Sequence, residues 1–178
     1  MQKTTTSPPT LVTERLALRP LAVADAGPMT PLADDPGVSR MTTAIPHPFS
    51  RDVAEGFIGR MQAADPAHEL VLAVERRDGA FMGVIGVHPR DHFAGELGYW
   101  IGRPFWGAGY MTEAARALTA WAAAHWGRRA LVSGHFADNA PSGRVLTKTG
   151  FLYTGEIERR FSIARGEEAP ARMMVWLA

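Results

Sequence analysis

A chain of 178 residues, 46% of them hydrophobic, with a formal net charge of +1 has the apolar content for one compact core and no surplus positive field for neutralising nucleic-acid phosphates. It contains no cysteine, which excludes disulfides, thiolate metal sites and a cysteine nucleophile and fits a reducing, cytoplasmic setting. No apolar run approaches the roughly 20 residues that span a bilayer, and the opening MQKTTTSPPT lacks the apolar core of a signal peptide, so neither nucleic acid nor membrane is an expected partner.

Residues 1–10 are polar, carry Pro8 and Pro9 and offer almost nothing to bury; they read as a flexible tail ahead of a single domain over 11–178. In TERLALRPL, Leu16 and Leu18 alternate with Arg15, Ala17 and Arg19, the period of a strand with one buried face, and Pro20 ends it. Helical spacing follows over 23–34 and again over 50–64, where Ser50 is placed as a cap and Val53, Phe57, Ile58 and Met61 recur three and four apart. The intervening TTAIPHPFS is proline-broken and apolar for a loop. It reads either as a connector packed on the core or as the lip of a site presenting His47 and Phe49. ELVLAVE (69–75) and AFMGVIGVH (80–88) form an expected hairpin through Asp78-Gly79, and ELGYWIG (96–102) extends it to an antiparallel meander. The longest helix is expected over 110–126, with Gly127 as its stop. RALVSGHF (129–136) reads as a strand and SGRVLTKTG (142–150) as a short helix closed by Gly150. FLYTGEIERRF (151–161) and RMMVWLA (172–178) read as a final strand pair across a turn near Gly166. Strands interrupted by helices on a sheet that starts antiparallel make the fold α+β rather than doubly wound.

Three glycines, Gly102, Gly107 and Gly109, crowd the strand-to-helix junction in YWIGRPFWGAGYMTEAARAL (99–118). A glycine turn opening a helix is where backbone N–H groups converge on a phosphate. Thr112 stands where a dinucleotide fingerprint needs its last glycine, and no lysine is present for a nucleotide-hydrolase loop. Two readings are left: a turn that holds a pyrophosphate on bare N–H groups, and a purely structural one. His88 and His92 lie four apart, but Pro89 places them in a loop instead of on one helix face, so no metal site is expected. Trp121, Trp126 and Trp176 read as core or interface aromatics.

WGAGYMTEA, the entry TERLALRPL and DNAPSGRVLTKTGF (138–151) stand in the order and spacing of the GNAT acetyltransferase superfamily. The chain resembles in particular the branch that contains the N-terminal acetyltransferases of ribosomal proteins, from about Leu11 to its end. The resemblance implies a largely antiparallel central sheet with a splayed edge for the cofactor, flanked by about four helices. It also implies transfer of an acetyl group from acetyl-CoA to a primary amine, by direct attack in a ternary complex. The family's loop pattern, Q/R-x-x-G-x-G/A, falls with Trp106 at its first position, Gly109 at its fourth and Met111 at its last; the two departures leave the backbone N–H groups in place. On this resemblance the N–H groups of Trp106, Gly107, Ala108, Gly109, Tyr110, Met111 and Thr112 receive the pyrophosphate at the positive end of the helix dipole. Glu113 complements that dipole, and Arg103 either screens a phosphate or is solvated. Backbone groups of Trp100 and Ile101 pair with the pantetheine amides as an added strand would, with Gly102 helping to open the edge. Asn139 either hydrogen-bonds the pantetheine arm or caps the helix that follows.

Many relatives protonate the departing thiolate with a tyrosine four residues after the position of Ser142. Here that position is Leu146, which leaves Ser142 as the nearest hydroxyl for the task or as an ordinary helix-surface serine. Glu96 opens the central strand and, by resemblance, faces the amine, either as a base acting through water or as a charge that attracts it; Tyr99 faces the acceptor as well. The acceptor is a protein N-terminal α-amine or a small-molecule amine such as an antibiotic or polyamine. A non-catalytic CoA-binding regulatory module, to which Leu146 lends weight, and a small interaction domain are the competing classes. Monomer and homodimer are both open.

Overall fold

The computed structural model of the chain describes residues 7–90 and 95–178; His92 and residues 1–6 of the expected tail lie outside them. The meander forms as the alternation dictates. β2 (Leu16–Pro20) buries Leu16 and Leu18 completely and pairs with the short β1 (Leu11–Val12) on one side and β3 (Leu70–Arg76) on the other. β3 turns into β4 (Phe81–Pro89) at Asp78-Gly79, where Gly79 takes φ +91° and the Asp78 carboxylate accepts from the Ala80 N–H at 3.2 Å. β5 (Gly95–Ile101) completes it against β4.

The first helical stretch divides. Asp25 accepts from the Ala22 N–H at 2.8 Å and tightens 23–25 into a 3-10 turn before α1 (Ala26–Ala33) begins. A single-turn helix, α2 (Pro36–Ser39), follows under the cap of Asp35, which accepts from Gly37 N–H at 2.7 Å. α3 (Arg51–Ala63) starts at its Ser50 cap and buries Ala54 and Ile58. α4 (Tyr110–Trp126) stops at Gly127, φ +61°. After β6 (Ala130–Phe136), α5 (Ala140–Thr149) starts ahead of Ser142 because Asn139 caps it and Pro141 suits a first turn. The chain ends in the hairpin of β7 (Leu152–Ser162) and β8 (Glu167–Leu177). β8 begins at Glu167 instead of Arg172, since pairing with β7 overrides the poor strand preference of Glu-Glu-Ala-Pro.

The eight strands form one sheet in the order β1-β2-β3-β4-β5-β6-β8-β7, antiparallel except where β5 meets β6. With five helices around it, the fold is the mixed α+β one that the resemblance implies. α4 and α5 cover one face, packing Met111, Leu118 and Leu146 on Leu16, Leu72, Ile85, Leu97 and Leu131. α1 and α3 cover the other with Met29 and Ile58 against Phe81 and Val84. Each such buried side chain stabilises by about 1.5–3 kcal/mol.

The parallel pair holds only at Gly95–Leu131 and Glu96–Val132. Beyond it β5 follows β4, β6 follows β8, and the two part into a wedge. Gly102 is not at the point of opening. It meets Leu32 of α1, where an added Cβ would lie 2.6 Å from Leu32 Cδ2, so glycine at 102 serves helix-to-strand contact.

Candidate active site

The wedge widens into a cleft of about 650 Å³, walled by the facing ends of β5 and β6, the start of α4, α5 and the segment 37–43. At one end the glycine turn sets the geometry: Gly107 and Gly109 take φ +77° and +78°, a region open to glycine at little cost. α4 carries no side-chain cap, and its first helical bond runs from the Glu113 N–H to the Gly109 carbonyl at 3.1 Å. The N–H groups of Tyr110, Met111 and Thr112, all cleft residues, have no helical partner and are available to an anion.

Trp106 differs from its neighbours in the turn. Its N–H goes to the Arg103 carbonyl at 3.2 Å, so it offers the cleft a ring, with the indole Nε1 donating to the Ile101 carbonyl at 2.7 Å. Arg103 covers that ring at 5.0 Å and binds Asp35 at 2.5 and 2.7 Å, holding the Asp35 carboxyl at about 2. Neither Arg103 nor Ala108 is among the cleft residues.

Along β5 the hydrogen-bonding direction alternates. Gly102 N–H donates to the Met82 carbonyl at 2.8 Å, which turns the backbone groups of Trp100 toward β4 as well; the Trp100 carbonyl lies so close to Gly83 that a Cβ there would come within 2.2 Å. Trp100 therefore lines the cleft with its ring, and the backbone groups that face the wedge are those of Leu97, Tyr99 and Ile101. Ser133 Oγ donates to the Leu97 carbonyl at 2.8 Å, bridging the strands where the ladder has ended.

On the α5 side, Asn139 Oδ1 accepts from the Ser142 N–H at 3.3 Å. The cap uses the carbonyl oxygen only, and the amide nitrogen is a separate donor at the cleft wall. The Tyr99 hydroxyl lies 2.9 Å from Ser142 Oγ and 3.0 Å from the Ser142 carbonyl. Burial pushes the Tyr99 phenol up, so it stays protonated at neutral pH. Leu146 is fully buried in the main core and does not reach the cleft.

On the opposite face of β5, Glu96 is held on both oxygens. Arg160 binds Oε1 and reaches Oε2 at 3.2 Å, and Arg90 binds Oε2 at 2.7 Å. Glu158 closes the cluster by pairing with Arg90 and with Arg160, the latter at 2.8 Å. Burial alone would raise the Glu96 carboxyl, but the two guanidinium groups outweigh it and hold it below its ordinary range. Two carboxylates and two guanidinium groups leave the cluster neutral.

His47 and Phe49 stand apart. Phe49 is 6% exposed in the second core, and His47 Nδ1 lies 3.2 Å from Asp34. Neither lines the cleft; Thr42 and Thr43, at the start of the same loop, do. Among the further cleft residues that the sequence did not single out are four on α5 and β6 with polar side chains. Arg144 and Lys148 form a basic i,i+4 pair that helical spacing on α5 could have exposed. Ser133 and His135 sit on β6, and His135, 5% exposed, meets the Tyr153 hydroxyl at 2.9 Å. Nothing in the local sequence marks them, because only the parting of β5 and β6 turns them toward the cleft. Among the described residues no group of three His, Asp or Glu could hold a metal ion, and no helix is long and apolar enough to cross a membrane.

An uncapped helix start behind two positive-φ glycines, continuous with an unpaired strand edge, fits a pyrophosphate joined to an amide-bearing arm. Comparison with known proteins agrees. The chain is 27% identical over 162 residues to the uncharacterized N-acetyltransferase p20 of Bacillus licheniformis, covering 88% of this chain and 89% of that protein. Its fold is similar to RimL, a ribosomal L7/L12 alpha-N-protein acetyltransferase solved with coenzyme A (TM-score 0.81, 16% identity, 95% and 98% of the two chains). It is equally similar to the microcin C7 self immunity acetyltransferase MccE solved with acetyl-CoA and AMP (TM-score 0.81, 18% identity, 93% and 94%). The family described as acetyltransferase (GNAT) domain matches residues 15–152, and the chain belongs to it, as an acetyl-CoA-dependent N-acetyltransferase.

Proposed function

We propose that the acceptor is a protein or peptide N-terminal α-amine. The observation that carries this reading is the saddling of Glu96 by Arg160 and Arg90, which makes it a weak proton acceptor. An α-amine with a pKa near 8 is roughly a tenth neutral at pH 7, whereas a lysine-type amine near 10.4 is neutral to about 0.04%. The difference amounts to about 3.3 kcal/mol of deprotonation that an enzyme base would have to supply. An α-amine needs little of it. The likeness of fold to RimL, an α-N-protein acetyltransferase, supports the same class.

Acetyl-CoA supplies the acetyl thioester. The first-turn N–H groups of α4, with those of Gly107 and Gly109, hold its pyrophosphate, and Tyr99 and Ile101 offer backbone partners to its arm. Asn139 donates from its amide nitrogen. Glu96 orients the amine, and the proton leaves through water beside its carboxylate. On the other face of β5, the Tyr99 phenol has one proton to give, to the Ser142 carbonyl at 3.0 Å or to Ser142 Oγ at 2.9 Å; when it turns to Oγ, the serine proton is free to point into the cleft toward the leaving sulfur. Of the wedge-facing N–H groups of β5, one that the arm leaves unused is the donor to the oxyanion.

The test is thiol release from acetyl-CoA with three acceptor sets: peptides with free N-termini, the same peptides N-blocked but carrying lysine, and small polyamines and aminoglycosides. Turnover confined to free N-termini is expected. Preferential turnover of small amines or of blocked, lysine-bearing peptides would overturn the reading while leaving the acetyltransferase assignment intact.

A further inference from the structure

Thr13 and Arg15, from the entry TERLALRPL, take no part in the chemistry above, yet both reach the glycine turn across the sheet. Thr13 Oγ1 donates to Glu113 Oε1 at 2.6 Å, the Arg15 N–H to the same oxygen at 2.9 Å, and Arg15 Nε to Oε2 at 2.7 Å. The other arm of the guanidinium, NH1, donates to the Ala108 carbonyl at 2.9 Å, and its carbon lies 4.5 Å from the centre of the Tyr110 ring. One side chain from the start of the domain thus holds both the first turn of α4 and the middle of the turn before it.

We propose that Arg15, supported by Thr13 and Glu113, is a positioning residue for the donor site: it fixes the Ala108–Gly109 peptide with its N–H toward the cleft. In a trans peptide the C=O and the following N–H point in opposite directions, and the only cis bond among the described residues is His47–Pro48. With the Ala108 carbonyl tied outward to Arg15, the Gly109 N–H points inward. The cleft lining agrees, since it includes Gly107 and Gly109 and skips Ala108. Glycines at positive φ on both sides give this peptide little intrinsic preference for either orientation, and the guanidinium supplies it. The same clasp disposes of a charge. Glu113 stands in the first turn, where a free carboxylate would compete with an incoming anion for the same N–H groups; Thr13 and Arg15 engage both of its oxygens on the side away from the cleft. Lysine could not replace Arg15, because its single nitrogen cannot reach Glu113 and Ala108 in two directions at once.

The inference rests on the reading that this turn receives the pyrophosphate, and the experiment separates the two. ¹⁵N relaxation at Gly107, Ala108 and Gly109 is measured without ligand in the parent, Arg15→Ala and Arg15→Lys proteins. Calorimetric titration follows with CoA and with pantetheine, which lacks the pyrophosphate. In both variants the order parameters of the three amides are expected to fall from about 0.85 to below 0.6. CoA is expected to bind about tenfold more weakly, with pantetheine unchanged and, in Arg15→Lys, the melting temperature within a few degrees of the parent. Parent-like order of the turn in Arg15→Lys would overturn the inference, as would a loss of order spread evenly over the sheet. A loosened turn with unchanged CoA affinity would uphold the role of Arg15 and overturn the placement of the pyrophosphate.

Discussion

Ser142 and Tyr99 share one hydrogen-bonding arrangement, and their substitutions should rank accordingly. If Ser142 protonates the leaving sulfur as proposed, Ser142→Ala is expected to lower kcat about 100-fold; Tyr99→Phe leaves the serine but not its orientation and is expected to cost about tenfold. The KM for acetyl-CoA should change little in either, in steady-state assays with a peptide acceptor. Equal turnover of Ser142→Ala and parent would remove the serine from the proton path. Glu96→Gln should act differently, because it turns a neutral cluster into one with a net charge of about +1 where the cationic acceptor is proposed to bind. The KM for the amine is expected to rise several-fold, with kcat/KM still climbing toward a plateau above pH 8 set by the acceptor itself. Position at the cleft was legible for Glu96 and Ser142, which the sequence singles out and which line it. It was not for Phe49 and His47, since an apolar loop looks the same from the sequence whether its ring enters a core or edges a site.

At the scale of elements, long periodic stretches were legible and close approaches were not. α4 runs over the residues its stripe and Gly127 define, whereas α2, with four residues, is too short to show a period. The wedge follows from β5 and β6 each staying with a different antiparallel neighbour, which no local pattern records. Gly143 and Gly59 illustrate the same limit. Both lie inside helices, where glycine costs about 0.5–1 kcal/mol relative to alanine. A Cβ at Gly59 meets nothing within 4 Å, but at Gly143 it would come 2.7 Å from both His135 Nε2 and the Tyr153 hydroxyl. Gly59→Ala is therefore expected to stabilise by up to about 1 kcal/mol. Gly143→Ala is expected to destabilise by about 1–3 kcal/mol as α5 is pushed off β6. Urea unfolding of the pair decides it: a Gly143→Ala protein as stable as Gly59→Ala would show that α5 has room to move.

Across the whole molecule, the elements around the cleft are joined by carboxylates paired with arginines far away in sequence. Asp138 binds Arg165 at 2.9 Å between the end of β6 and the β7–β8 turn, Glu113 binds Arg15, and the Glu96 cluster joins β5 to β7. Arg19 likewise holds Asp25 and Glu75 at 2.7 and 2.6 Å. For Asp138 the guanidinium is the leading influence. For Asp25, Glu96, Glu113 and Glu158 burial pulls upward and the hydrogen bonds outweigh it, so that all five carboxyls sit below their ordinary values of 3.8 or 4.5. A carboxyl depressed in the folded state adds stability that is complete above its unfolded pKa and is lost as pH falls through the folded one. The arginines stay charged throughout this range and contribute no pH dependence of their own. Stability should thus be nearly level from about pH 5.5 to 8 and fall steadily below about pH 4.5. CoA at about 100 times its Kd adds roughly 2.7 kcal/mol at neutral pH, and more slowly declining melting temperatures in its presence would follow only while the cleft elements stay joined. Calorimetry from pH 3 to 8, with and without CoA, measures both. A decline already under way between pH 6 and 7 would assign the loss to histidine protonation instead of these pairs, and a level curve down to pH 3 would mean that the pairs hold no more tightly in the folded chain than in the unfolded one.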